Sequence, residues 1–224
     1  MLEKVNEAFK NLRQGFKFSL ITNVLIFLYS ILCLKDFLLY LLFPFGLPLL
    51  LLLFTWAYSL IKRHSGWSLL GQNSIAKALS WGGVTIFIFI FPLTTLWIYV
   101  ILYYLDASPF STVLINTIIM LLPPVAWGIY TWMENRGFKT LKQKYNVNLT
   151  SAQVCNLTGI IIYYSTYIVL YLLSYFHIYF NFIPYFYAPI SPYLIISFLF
   201  ASPLLITSCV FTIMKLRAEI IRKK

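Results

Sequence analysis

Six long apolar runs recur along this chain of 224 residues, and no other feature limits its fold as strongly. They extend from Phe18 to Leu34, Phe37 to Ile61, Gly83 to Leu105, Val113 to Met133, Val154 to Phe176 and Tyr193 to Met214. As helices, runs of this length can cross the roughly 30 Å of hydrocarbon in a bilayer. Helices are expected because backbone in lipid must satisfy its own hydrogen bonds, and the runs lack the strict alternation of barrel strands. With 61% hydrophobic and 10% charged residues, a water-soluble fold could not hide the apolar surface, since soluble domains are about half apolar and a quarter charged. The predicted fold class is all-α, a polytopic membrane helix bundle of about six transmembrane helices.

The basic residues sort by segment. Lys4, Lys10, Arg13 and Lys17 precede the first run, and Lys62, Arg63 and Lys77 separate the second from the third. Arg136, Lys139, Lys142 and Lys144 separate the fourth from the fifth, and Lys215, Arg217, Arg222, Lys223 and Lys224 follow the sixth. All but Lys35 of the 17 therefore fall on one side of six spans. Positive residues collect on the cytoplasmic side, which predicts a cell-membrane protein with both termini in the cytoplasm. The net charge of +11 then reads as a topology signal, with anionic lipid headgroups as its counter-charge and no nucleic-acid partner.

Three regions follow. Residues 1–17 carry Leu2, Val5, Phe9, Leu12 and Phe16 at spacings of three and four among charged positions, the pattern of an amphipathic helix lying in the inner interface or binding a partner. Residues 18–214 form the transmembrane domain, and 215–224 a basic cytoplasmic tail. Cys33 lies near the outer face, whereas Cys155 and Cys209 lie in the inner half, so no extracellular disulfide framework can be built.

The even runs end alike, in Phe54-Thr55-Trp56, Tyr130-Thr131-Trp132 and Phe211-Thr212-Ile213, and Gly15, Gly83 and Gly159 mark the inner starts of the odd ones. Three tandem helical hairpins, 15–63, 83–136 and 159–217, with pseudo-three-fold symmetry would explain these coincidences. Chance recurrence of interfacial aromatics would explain them too. Pro44, Pro48, Pro123, Pro124 and Pro203 place helix-break residues in every even run. A proline frees a carbonyl one turn back, which either lines a cavity or is taken up by a neighbouring Ser or Thr.

No ionisable residue stands at mid-span; Asp36, Asp106 and His177 are at outer edges and Glu134 at an inner one. The polar residues within the spans are neutral, and Asn23, Asn116, Thr94, Thr95, Thr117, Ser165 and Thr166 are the candidates for a polar path or for hydrogen bonds between helices. His64 and His177 belong to opposite faces, and no catalytic or phosphate-binding motif is present, so neither metal, cofactor nor enzymatic activity is expected. Asn148-Leu149-Thr150 and Asn156-Leu157-Thr158 match the glycosylation triplet but fall on the inner side, and read as chance matches.

The stretch Asn11-Leu12-Arg13-Gln14-Gly15, leading from the charged helix into the first span, resembles the start of uncharacterised multi-pass membrane proteins of thermoacidophilic archaea, a resemblance that implies a membrane fold and no particular activity. The leading functional expectation is a small transporter or channel-like protein for a neutral or lipophilic solute. The alternative is a non-transporting membrane subunit or scaffold, with a protein partner or a homo-oligomeric state.

Overall fold

A computed structural model of the chain describes the backbone of residues 2–35, 47–90, 109–179 and 192–222, with the side chains of 3–31, 51–86, 125–169 and 196–219. The described residues form six α-helices and no strand: α1 (Leu2–Lys35), α2 (Leu47–Leu69), α3 (Asn73–Ile90), α4 (Pro109–Tyr145), α5 (Thr150–Tyr179) and α6 (Pro192–Arg222). Each packs on its neighbours in the chain, and α6 closes back on α1, so the helices form a ring in sequence order whose sparsest seam is α4–α5. Among the described residues two stretches, Glu3–Ile31 in α1 and Ile196–Glu219 in α6, are long and apolar enough to cross a membrane. The outward faces carry large apolar side chains: Phe54, Ile61, Trp81, Ile161, Phe200 and Met214 are each more than half exposed.

The helices overrun the apolar runs at the end of the ring where the basic residues collect, hereafter the basic end. The links expected between Ile61 and Gly83, and between Met133 and Val154, are themselves mostly helical, leaving two short turns at 70–72 and 146–149. Their sequences keep a helical period: Leu60 and Trp67 on α2, Leu70 in the turn that follows it, Ile75, Ala76 and Leu79 on α3, and Phe138 and Leu141 on α4 are all buried in one core cluster. The segment 1–17 belongs to the same core. Rather than presenting its apolar side to a headgroup layer, α1 runs unbroken from Leu2, with Ala8, Phe9 and Leu12 fully buried against the chain's own helices. Leu12 packs onto Gly66, Phe9 meets the edge of Tyr145 at 5.6 Å between centroids, and Phe16 lies tilted on Phe138 at 5.6 Å.

Local chemistry sets the two turns. After α2, Gly71 adopts φ +75°, and the N–H groups of Gly71 and Gln72 donate back to the carbonyls of Ser68 and Trp67, the paired bonds of a Schellman stop. Gly71 suits the place because a left-handed residue without Cβ carries no steric penalty there. After α4, Asn146 takes the left-handed conformation at φ 58°, and Asn148 Oδ1 accepts from both the backbone N–H and the hydroxyl of Thr150, capping α5. The first glycosylation-like triplet is thus a helix cap.

The prolines interrupt no described helix. Pro203 lies inside α6, and the carbonyl of Leu199 that it cannot serve accepts from Ser202 Oγ at 3.3 Å. Pro48 lies in the first turn of α2, where a proline's missing N–H is harmless, and α4 runs through Pro123 and Pro124. Pro44 lies outside the described residues. The glycines singled out by the hairpin pattern face different partners: Gly15 meets Ser59 and Arg63, Gly159 meets Leu204 and Leu205, and Gly83 meets Leu60 of the preceding hairpin.

Candidate functional site at the basic end

Beyond the ends of the second and fourth apolar runs, the ring encloses a buried charge pair. Arg63 of α2 and Glu134 of α4 are 7% and 1% exposed, although α2 and α4 are not adjacent in the ring. The pair therefore reaches across the interior. Glu134 Oε1 accepts from Arg63 Nε at 2.8 Å and from Trp67 Nε1 at 2.9 Å, while Oε2 pairs with Arg63 Nη2. Arg63 Nη1 donates to Ser19 Oγ at 3.0 Å, and the hydroxyls of Ser19 and Ser59 share a bond of 2.6 Å. Planar guanidinium matches carboxylate in this two-pronged way, which is why arginine rather than lysine suits a buried pair.

Sequence explains how so large a group fits. Ser59, Arg63 and Trp67 recur every four residues on one face of α2, and each buries. Opposite them α1 offers Gly15, where an added Cβ would sit 2.5 Å from Arg63 Cγ and 3.0 Å from the Ser59 carbonyl, so the two backbones meet closely only because that side chain is absent. Gly137 similarly leaves room for the Trp67 ring. The guanidinium carbon stands 5.1 Å from the Phe16 ring centroid and 5.8 Å from that of Tyr130, an aromatic collar around the charge. Burial works against the charged form of Arg63, but the Glu134 carboxylate outweighs it and holds the pKa above its ordinary value.

A neutral polar layer ties α4, α5 and α6. Asn156 Nδ2 donates to Asn135 Oδ1 at 3.2 Å, Gln153 Nε2 to the Asn135 carbonyl at 3.5 Å, and Ser208 Oγ to the Ala152 carbonyl at 2.7 Å. The second glycosylation-like triplet thus begins with a buried packing residue, Asn156. Between α1 and α2, Thr22 donates to Thr55 at 3.1 Å. Thr55, Thr131 and Thr212, the threonines of the three similar run endings, are all buried and bond back to their own helices.

The path candidates do not converge among the described residues. Asn23 Nδ2 lies 3.7 Å from Cys209 Sγ in the α1–α6 seam, a helix-packing contact. Ser165 is exposed and bonds to the Ile161 carbonyl, and Thr166 is half-buried on α5. Asn116 and Thr117 lie on α4 with side chains outside the described set, and Thr94 and Thr95 lie outside it altogether. By position in the sequence Arg63 counts among loop cations, Glu134 stands at an edge and Tyr130 belongs to a repeated run ending, while nothing in the pattern of runs singles out Trp67, Ser19 or Ser59. The available signal was the helical spacing of Ser59, Arg63 and Trp67, together with Glu134 as the one acid directly abutting an apolar run within the inner half.

Among the described residues, no group of three or more His, Cys, Asp or Glu is placed to hold a metal ion. The arrangement is suited to locking helices together or to parting under control, and it presents no nucleophile–base pair. Comparison of the chain with protein-family models, with curated proteins and with solved structures finds no match.

Proposed function

We propose that the protein is a multi-pass membrane protein with six spans and both termini in the cytoplasm, and that it serves as a non-transporting membrane subunit, a rigid helical platform for a partner. The spanning topology is supported by the six apolar runs, by the segregation of basic residues and by the exposed apolar girdle. The observation that carries the platform reading is the filled interior at the basic end. A solute path there would have to breach a buried, hydrogen-bonded ion pair and the aromatic rings of Phe16, Trp67 and Tyr130.

The test is extraction of the full chain from its native membrane in several mild detergents. A partner recovered in fixed stoichiometry is expected, and a lone monomer in every detergent would overturn the platform. Reconstituted vesicles should leak neutral and lipophilic solutes no faster than empty ones.

A second reading, a small transporter for a neutral or lipophilic solute, draws on the same pair. Arg63 and Glu134 link helices that are not neighbours, as an inner gate between moving parts would. Under that reading Glu134→Gln raises solute flux in vesicles; under the platform reading it leaves flux at the empty-vesicle level.

A further inference from the structure

The sparse α4–α5 seam leaves an open groove of about 300 Å³, lined by Val125, Gly128, Ile129, Trp132, Ile160 and Tyr164 and almost wholly apolar. Its α4 wall follows one helical stripe, at spacings of three and four. That stripe continues past Trp132 into Asn135, Arg136 and Lys139 and so turns from apolar to basic within one turn. Arg136 is exposed, its guanidinium carbon 3.8 Å from the Trp132 ring centroid, and it makes no ion pair among the described residues. The adjacent acid, Glu134, is committed to Arg63. Asn135, 3% exposed, keeps an Nδ2 donor without a hydrogen-bond partner, although its carbonyl oxygens serve Gln153 and Asn156.

We infer that this groove is a site for one anionic phospholipid, with a chain along the seam and the headgroup phosphate at Arg136. Charge complementarity selects the occupant. A slot some 10 Å long from Val125 to Trp132, at the helical rise per residue, suits part of a hydrocarbon chain. It ends where an indole and an unpaired guanidinium come together, groups that recognise a phosphate at a membrane interface. The inference rests on the spanning topology proposed above and adds a specific lipid to it.

The test is native mass spectrometry of the full chain, stripped of lipid in a neutral detergent and titrated with phosphatidylglycerol or phosphatidylcholine of equal chain length. One phosphatidylglycerol is expected to bind at least tenfold more tightly than phosphatidylcholine. Arg136→Gln should erase that preference, Ile129→Trp should weaken both lipids by filling the groove, and Lys77→Gln, an exposed cation on α3, should change nothing. Equal binding of the two lipids by the unaltered chain would overturn the site, as would loss of preference in Lys77→Gln matching that in Arg136→Gln. A lipid-insensitive dimer abolished by Ile129→Trp would assign the groove to a second copy instead, and also overturn it. Should Ile129→Trp fail to fold, the surface change at Arg136 still decides. Carbonate washing of native membranes separates the two layers of the argument: release of the protein defeats the spanning topology, whereas retention without lipid preference defeats only the lipid site.

Discussion

Replacing Glu134 by Gln would leave the Arg63 guanidinium buried without its counter-charge, and a broken buried pair costs about 3–5 kcal/mol. We expect Glu134→Gln to lower stability by that order in a denaturant titration of purified protein followed by tryptophan fluorescence. The double change Arg63→Met with Glu134→Met should recover part of the loss, because a well-packed apolar replacement removes the desolvation penalty along with the attraction. What remains is the Trp67 N–H left without its acceptor, about 1–3 kcal/mol. If the double variant were no more stable than the single one, the pair would not be the element that matters. At this scale sequence was least informative. Arg63 counts as one more inner cation by position, and only its register with Ser59 and Trp67 on α2, facing Gly15 on α1, turns it inward. That facing is a property of two helices together, which a single run of letters does not contain.

Within the helices, the proline in α6 is compensated rather than exploited. Ser202 Oγ serves the Leu199 carbonyl that Pro203 leaves free. Ser202→Ala should therefore cost about 1 kcal/mol, and combining it with Pro203→Ala, which restores the backbone donor, should cost less than Ser202→Ala alone. Additive losses in the denaturation assay would show that the hydroxyl is not the proline's substitute. The existence of the helices was legible from the apolar runs, as was the amphipathic character of residues 1–17. Their extent at the basic end was not, because clusters such as Arg136, Lys139, Lys142 and Lys144 read as loop when only charge is weighed. Phe138 and Leu141 between those cations carry the period that keeps α4 helical, and both bury. The stops were legible in retrospect at Gly71 and Asn146, which take left-handed conformations where the charges alone suggested longer links.

For the molecule as a whole, the proposed topology predicts an accessibility pattern. Single cysteines at Lys77 and Gln143, both exposed at the basic end, in a background lacking Cys33, Cys155 and Cys209, should resist a membrane-impermeant thiol reagent in intact cells. A cysteine at Ser108 should react. Labelling of the first two from outside would reverse or dismantle the six-span arrangement. The ring itself has a further meaning. Because α6 closes on α1, with Asn23 against Cys209 at their seam and Leu216 fully buried in the same core as Phe9, the first and last described helices are packing partners. The ring consequently has no privileged first helix. Cut in the turn between α2 and α3, with α6 joined to α1 through a flexible linker, the permuted chain would keep every described helix beside its present neighbours. Order of synthesis and order of assembly are in that sense separable in this protein.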